Sequence, residues 1–224
     1  MNIIDSLSLV FIILFTFLGF RKGAIKTIVS LLGFFVVLLL SHKLAGPVCN
    51  FFVKHLPFFE LGGIFKGYAS VSILVYRGLS FLLVFTLLLC ILKLILKLTG
   101  LLDSLLKATV ILAIPSKIIG AILGFIEGII FVFVFAVAMM HFGPTQKYIM
   151  ESDMTLKIVE HSPIISSVFN KSIDASKEIY SILSSEESDK SDEDILEVLI
   201  RKGIVKEKDV ENIKGKINKE GKDD

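Results

Sequence analysis

Long apolar blocks with short polar punctuation make up the first 140 positions, and it is block length, not alternation, that defines the elements. Four blocks predict helices that cross a bilayer, at about 6–20, 24–41, 72–96 and 118–140, since roughly twenty apolar residues span the hydrocarbon core. The first is short: at about 1.5 Å per residue it reaches roughly 22 Å, against a core near 30 Å. Arg21, Lys22, Gly23 and Lys26 separate it from the second. That punctuation predicts a tight helical hairpin turning at Gly23, with the cations snorkelling to one surface. One long bent segment lying in the interface is the alternative. Residues 42–70 are too polar to span and too apolar for a free loop. They predict an amphipathic loop, lying along the membrane surface or packed over the bundle ends.

Beyond position 142 the texture changes. Residues 143–183 form an amphipathic helical segment, divided at Pro163. Residues 184–194 are a Ser/Asp/Glu linker, expected to be disordered because it has too little apolar surface to bury. Residues 195–224 predict a short helical hairpin, with Ile195, Leu196, Leu199 and Ile200 on one face, Asp192 as N-cap and Gly203 just past the helix end. Such a hairpin is too small for a core of its own. It docks on a protein partner or a second copy, or it remains a mobile tail. The expected fold is an all-α integral membrane protein: a small bundle of four transmembrane helices, the amphipathic loop, and a helical polar C-terminal tail.

Composition agrees with this division. The chain of 224 residues is 54% hydrophobic, with mean hydropathy +0.77, well above the range of soluble domains. The net charge of +2 hides an asymmetry. Only Asp5, Glu60, Asp103 and Glu127 are acidic before position 141, so the membrane part is basic and the tail is acidic. No block is basic enough to suggest nucleic acid. The N-terminus lacks a basic region and a small-residue cleavage site, so the first apolar segment is expected to stay with the protein.

The fourth block carries the clearest pattern. Gly120, Gly124 and Gly128 stand four apart and form one smooth stripe on a helix, the kind of face that lets two membrane helices approach closely. Glu127 is a carboxylate inside the same span. An intramembrane charge marks a proton or cation path, or it pairs with Arg77, Lys93 or Lys117 from a neighbouring helix end. Asp5, at the start of the first span, suits a helix N-terminus.

Catalytic patterns do not occur: there is no GxSxG, HExxH, CxxC or P-loop. His42, His55, His141 and His161 are isolated in sequence, and Cys49 and Cys90 form no framework. No enzyme activity, cofactor or metal is expected. The expected partners are the lipid bilayer, further copies of the chain, and a protein that meets the tail. Arg21, Lys22, Lys26, Lys93, Lys97, Lys107 and Lys117 cluster in the first and third connections. The positive-inside rule puts those connections in the cytoplasm and both termini outside.

Taken together, Asp5, Lys22-Gly23, Thr99-Gly100-Leu101 and the Gly120/Gly124/Gly128 series resemble the colicin V production protein (CvpA) family over residues 1–142. Ser116-Lys117 stands where the family often has Asp-Arg. The resemblance implies a four-helix protein of the bacterial inner membrane, linked to colicin V-type toxin production or export and to envelope homeostasis. A small oligomeric pore or transporter lined by the glycine helix, with Glu127 tuning it, is the alternative.

Overall fold

A computed structural model describes residues 2–59, 62–98, 113–185, 191–206 and 209–220. These residues form nine α-helices and one 3-10 turn, with no strand among them. Four helices are long and apolar enough to cross a membrane: α1 (Ile3–Lys22), α2 (Ala24–His55), α3 (Val71–Leu98) and α4 (Ala113–His141). The tail adds α5 (Gly143–Met150), α6 (Asp153–His161), α7 (Pro163–Ser184), α8 (Asp192–Arg201) and α9 (Val210–Glu220). The protein is therefore an all-α, multi-pass membrane protein.

Helix α1 is longer than its apolar block. Asn2 caps it, accepting from the Ile3 N–H at 2.6 Å, and Asp5 completes a capping box. Twenty residues reach about 30 Å, enough to cross without thinning the bilayer. Gly23 ends α1 and starts α2 with φ +76°, a conformation that only glycine adopts cheaply. The first two spans are thus a tight hairpin.

Helix α2 corrects the boundary expected at 41. It runs on to His55 with Pro47 inside it. An interior proline costs about 3 kcal/mol, and burial of Ala45, Cys49 and Val53 on the inward face offsets that cost. The 32 residues measure about 48 Å, so the last turns stand clear of the hydrocarbon. The loop expected over 42–70 is reduced to the stretch after His55, with a 3-10 turn at Gly63–Phe65.

Two apolar clusters organise the interior. The first lies between α2, α3 and α4, with Leu38, Phe85 and Phe133, and extends into the tail through Ile149, Val159 and Phe169. Phe169 of α7 meets the rings of Phe81 and Phe133 at centroid distances of 5.3 and 5.9 Å. The second joins the end of α2 and the start of α3 to the C-terminal helices, through Val53, Leu74, Ile179, Leu196 and Leu199. The apolar face of the C-terminal hairpin is therefore covered by its own chain. Ser191, not Asp192, is the N-cap of α8, in a capping box with Asp194. Gly203 stands just beyond that helix at φ +71°. In the expected linker, residues 186–190 lie outside the described residues, while α7 and α8 take up positions on either side.

Candidate functional site: a glycine interface and its buried polar groups

The glycines of α4 lie against α1. A Cβ on Gly120 would collide with the carbonyl oxygen of Gly19 and stand 2.8 Å from the carbonyl carbon of Gly23. One on Gly124 would collide with the Phe15 carbonyl and stand 3.0 Å from the Gly19 Cα. At Gly128 the nearest atom is the Ile12 Cα, also at 3.0 Å. Gly19 is the partner residue on α1, where an added Cβ would lie 2.8 Å from the Gly124 Cα. Backbone meets backbone along this seam, the arrangement that makes packing effective in lipid.

The cytoplasm-facing end expected from charge is closed by Ser116 of α4. Its Oγ accepts from the Ala24 N–H at 3.1 Å, so α4 caps the start of α2. Thr27 completes the turn, donating to the Gly23 carbonyl at 2.8 Å. Lys22 is exposed in the last turn of α1. Thr99 and Gly100 lie outside the described residues.

At the opposite end Asp5 does more than start α1. Its buried carboxylate accepts from the Ser152 hydroxyl and from the N–H groups of Met154, at 3.1 Å, and Thr155, at 3.2 Å. Ser152 is the N-cap of α6. Asp5 therefore places a negative charge on the first-turn N–H groups of a helix almost 150 residues away, where the helix dipole favours an anion. Ser8 adds a buried hydrogen bond to Thr155 at 2.9 Å.

Glu127 is buried and accepts from the Ser30 hydroxyl of α2 at 2.8 Å. Among the described residues it forms no ion pair, so Ser30 takes the place expected for Arg77, Lys93 or Lys117. Arg77 instead joins two histidines that are far apart in sequence. His42, Arg77 and His141 line a cavity of about 10 Å³, with Phe169 and Ser172 of α7 on its tail side. That volume holds about one water. The His42 ring meets Phe169 edge-on at 4.6 Å, and His141 Nδ1 bonds the Val137 carbonyl at 2.6 Å. No carboxylate pairs with Arg77 among the described residues. Sequence reasoning missed this cluster because nothing in the spacing of 42, 77 and 141 joins them. Two further groups close helix ends. Asp192 accepts from the Ala69 and Ser70 N–H groups just before α3, at 3.2 and 2.7 Å. Lys216 donates to the Val53 and Leu56 carbonyls at the end of α2. No group of three or more His, Cys, Asp or Glu suited to a metal occurs among the described residues.

Among known families, the one described as "Colicin V production protein" has a model that matches residues 4–163, well over half of the chain. No curated protein and no solved structure matches.

Proposed function

The chain belongs to the colicin V production protein family, and from that premise we propose that it is a non-enzymatic scaffold of the bacterial cytoplasmic (inner) membrane. It assists production or export of a colicin V-type toxin, or envelope homeostasis, by helix packing and by presenting its docked tail to a protein partner. The observation that carries this reading is the closed seam between α1 and α4. Gly120, Gly124 and Gly128 are taken up by Ile12, Phe15 and Gly19, and Glu127 by Ser30. A pore lined by the glycine stripe needs that face open.

The basic first and third connections support an orientation with both termini outside. The test is release of a colicin V-type peptide toxin from cells that lack the chain, regain it, or carry Gly124→Leu. Released toxin falls in the deletion and in Gly124→Leu while total toxin stays constant. Equal release in all three removes toxin export from the proposal. Ion flux through the purified, reconstituted protein stays at the level of empty vesicles, and flux that Glu127→Gln alters would restore the pore reading. A cysteine placed at Ser188 is labelled by an impermeant reagent in intact cells; protection until lysis would reverse the orientation.

A further inference from the structure

The docked C-terminal hairpin encloses a cavity of about 410 Å³ against the end of α2, a volume in the range of small-molecule sites. Its floor is apolar and buried: Cys49 and Val53 of α2, Ile73 of α3, and Ile213 of α9. Its rim is cationic. Lys54, Lys206 and Lys216 line it against one acid, Asp209. Lys216 is committed to the α2 carbonyls and to the Phe58 ring, 4.7 Å below its ammonium. Lys54 is held only loosely, 3.9 Å from Asp209, with its side chain 60% exposed. Lys206 is exposed.

The depth of the cavity narrows the ligand class. Helix α2 runs antiparallel to α1 from the Gly23 turn, so position 44 is level with the start of α1. Cys49 then stands about 8 Å and Lys54 about 15 Å beyond the end of the span, so the floor starts at the outer edge of the headgroup layer, which adds about 5–8 Å to each side of the hydrocarbon core, and the rim stands above it. Phe51 of α2 and Leu56, just past its end, are exposed apolar residues near the cavity, as expected of a segment at a membrane interface. An apolar floor that starts at the edge of the headgroup layer and a cationic rim above it together fit a molecule with a chain and an anionic head.

We propose that this cavity binds an anionic phospholipid, with acyl chain on the Cys49/Val53/Ile73/Ile213 floor and the phosphate between Lys54 and Lys206. The site exists only when the hairpin is docked, since α9 forms one wall. Bound lipid therefore holds the tail in place by mass action.

The test uses the full chain in a neutral maltoside detergent, titrated with phosphatidylglycerol or phosphatidylcholine of the same chains and read by native mass spectrometry. The wild type retains phosphatidylglycerol about tenfold better than phosphatidylcholine, the scale set by one or two lysines facing an anionic headgroup. The double variant Lys54→Gln/Lys206→Gln, altered only at exposed side chains, loses that preference. Ile213→Trp fills the cavity and loses both lipids; Asn212→Trp, at the exposed rim, repeats the blockade without touching the floor. Equal retention of the two lipids by the wild type overturns the proposal, as does full phosphatidylglycerol retention in the lysine variant or in Asn212→Trp. Displacement by millimolar inorganic phosphate makes this a phosphate site and overturns the lipid assignment.

Discussion

Gly120→Ala tests whether the seam between α1 and α4 holds the bundle together. The new methyl meets only backbone: the Gly19 carbonyl, and the Gly23 carbonyl carbon and Cα at 2.8 and 2.9 Å. Ordinary contact begins near 3.4 Å, so the helices must part by at least about half an ångström. A gap of about 0.5–1 Å forfeits a quarter to a half of each dispersion contact along the seam. Overpacking costs about 1–3 kcal/mol, and rigid obstacles put this site near the upper end. Alanine returns about 1 kcal/mol of helix propensity, leaving a net loss of about 2 kcal/mol. Gly33→Ala is the matched control. Its methyl meets only the Leu92 Cδ2 at 2.8 Å and Cδ1 at 3.3 Å, the mobile tip of a side chain. The propensity gain then leaves Gly33→Ala neutral or stabilised by up to about 1 kcal/mol. Unfolding of both variants by sodium dodecyl sulfate in mixed micelles measures the difference. If the two unfold within about 0.5 kcal/mol of each other, close backbone packing at Gly120 is not what stabilises the bundle.

Asp5→Ala leaves the Ser152 hydroxyl and the Met154 N–H without their acceptor, and leaves the Thr155 N–H only the Ser152 Oγ at 3.3 Å. It should cost about 2–4 kcal/mol, by loss of charged hydrogen bonds and of a cap, and hydrogen exchange at Met154 and Thr155 should speed up. Unchanged exchange there would show that Asp5 does not hold α6. Phe169→Ala removes the ring between Phe81, Phe133 and His42. A loss of about 3–5 kcal/mol, with faster proteolysis within α7, is expected; unchanged proteolysis would count against docking through Phe169. The hydrogen bond from Lys177, at 2.6 Å, holds the Glu160 carboxyl below the usual glutamate range, against a smaller opposing effect of burial. A depressed pKa gives stability that is present above about pH 4.3, the unperturbed value, and is lost as pH falls further. Because both partners are partly exposed, the effect stays below about 1 kcal/mol. Lys177→Gln should flatten the dependence of tail unfolding between pH 5 and pH 3, and an unaltered profile would remove Glu160 as its source.

Block length alone was enough to read the four long helices, because a bilayer demands long apolar runs. The spacing of Gly120, Gly124 and Gly128 put them on one face, but nothing in the spacing names Gly19 as their neighbour. The contacts that close helix ends were beyond reach for a common reason. Ser116 serves α2, Asp5 serves α6, Asp192 serves α3 and Lys216 serves the end of α2. Local rules look three residues away for a cap, whereas these caps come from between about 90 and 160 residues away. The same rule placed Asp192 at the N-cap, where Ser191 stands. Pro47 also misled: as a helix breaker it pointed to a loop, and only the tertiary burial of Cys49 and Val53 carries α2 through it.

The bond between Asp5 and the start of α6 has a consequence for biosynthesis. Asp5 is made at the beginning, and Ser152 and Thr155 are made only after the whole of the fourth span has been synthesised. Until then the carboxylate lacks its distant donors. The two groups meet only if they emerge on the same face of the bilayer. A chain with its first helix inserted backwards would leave Asp5 on the wrong side, with the hydrocarbon core between it and α6. The contact thus forms only in correctly threaded molecules, and it distinguishes them by stability from misinserted ones before the tail closes over the bundle.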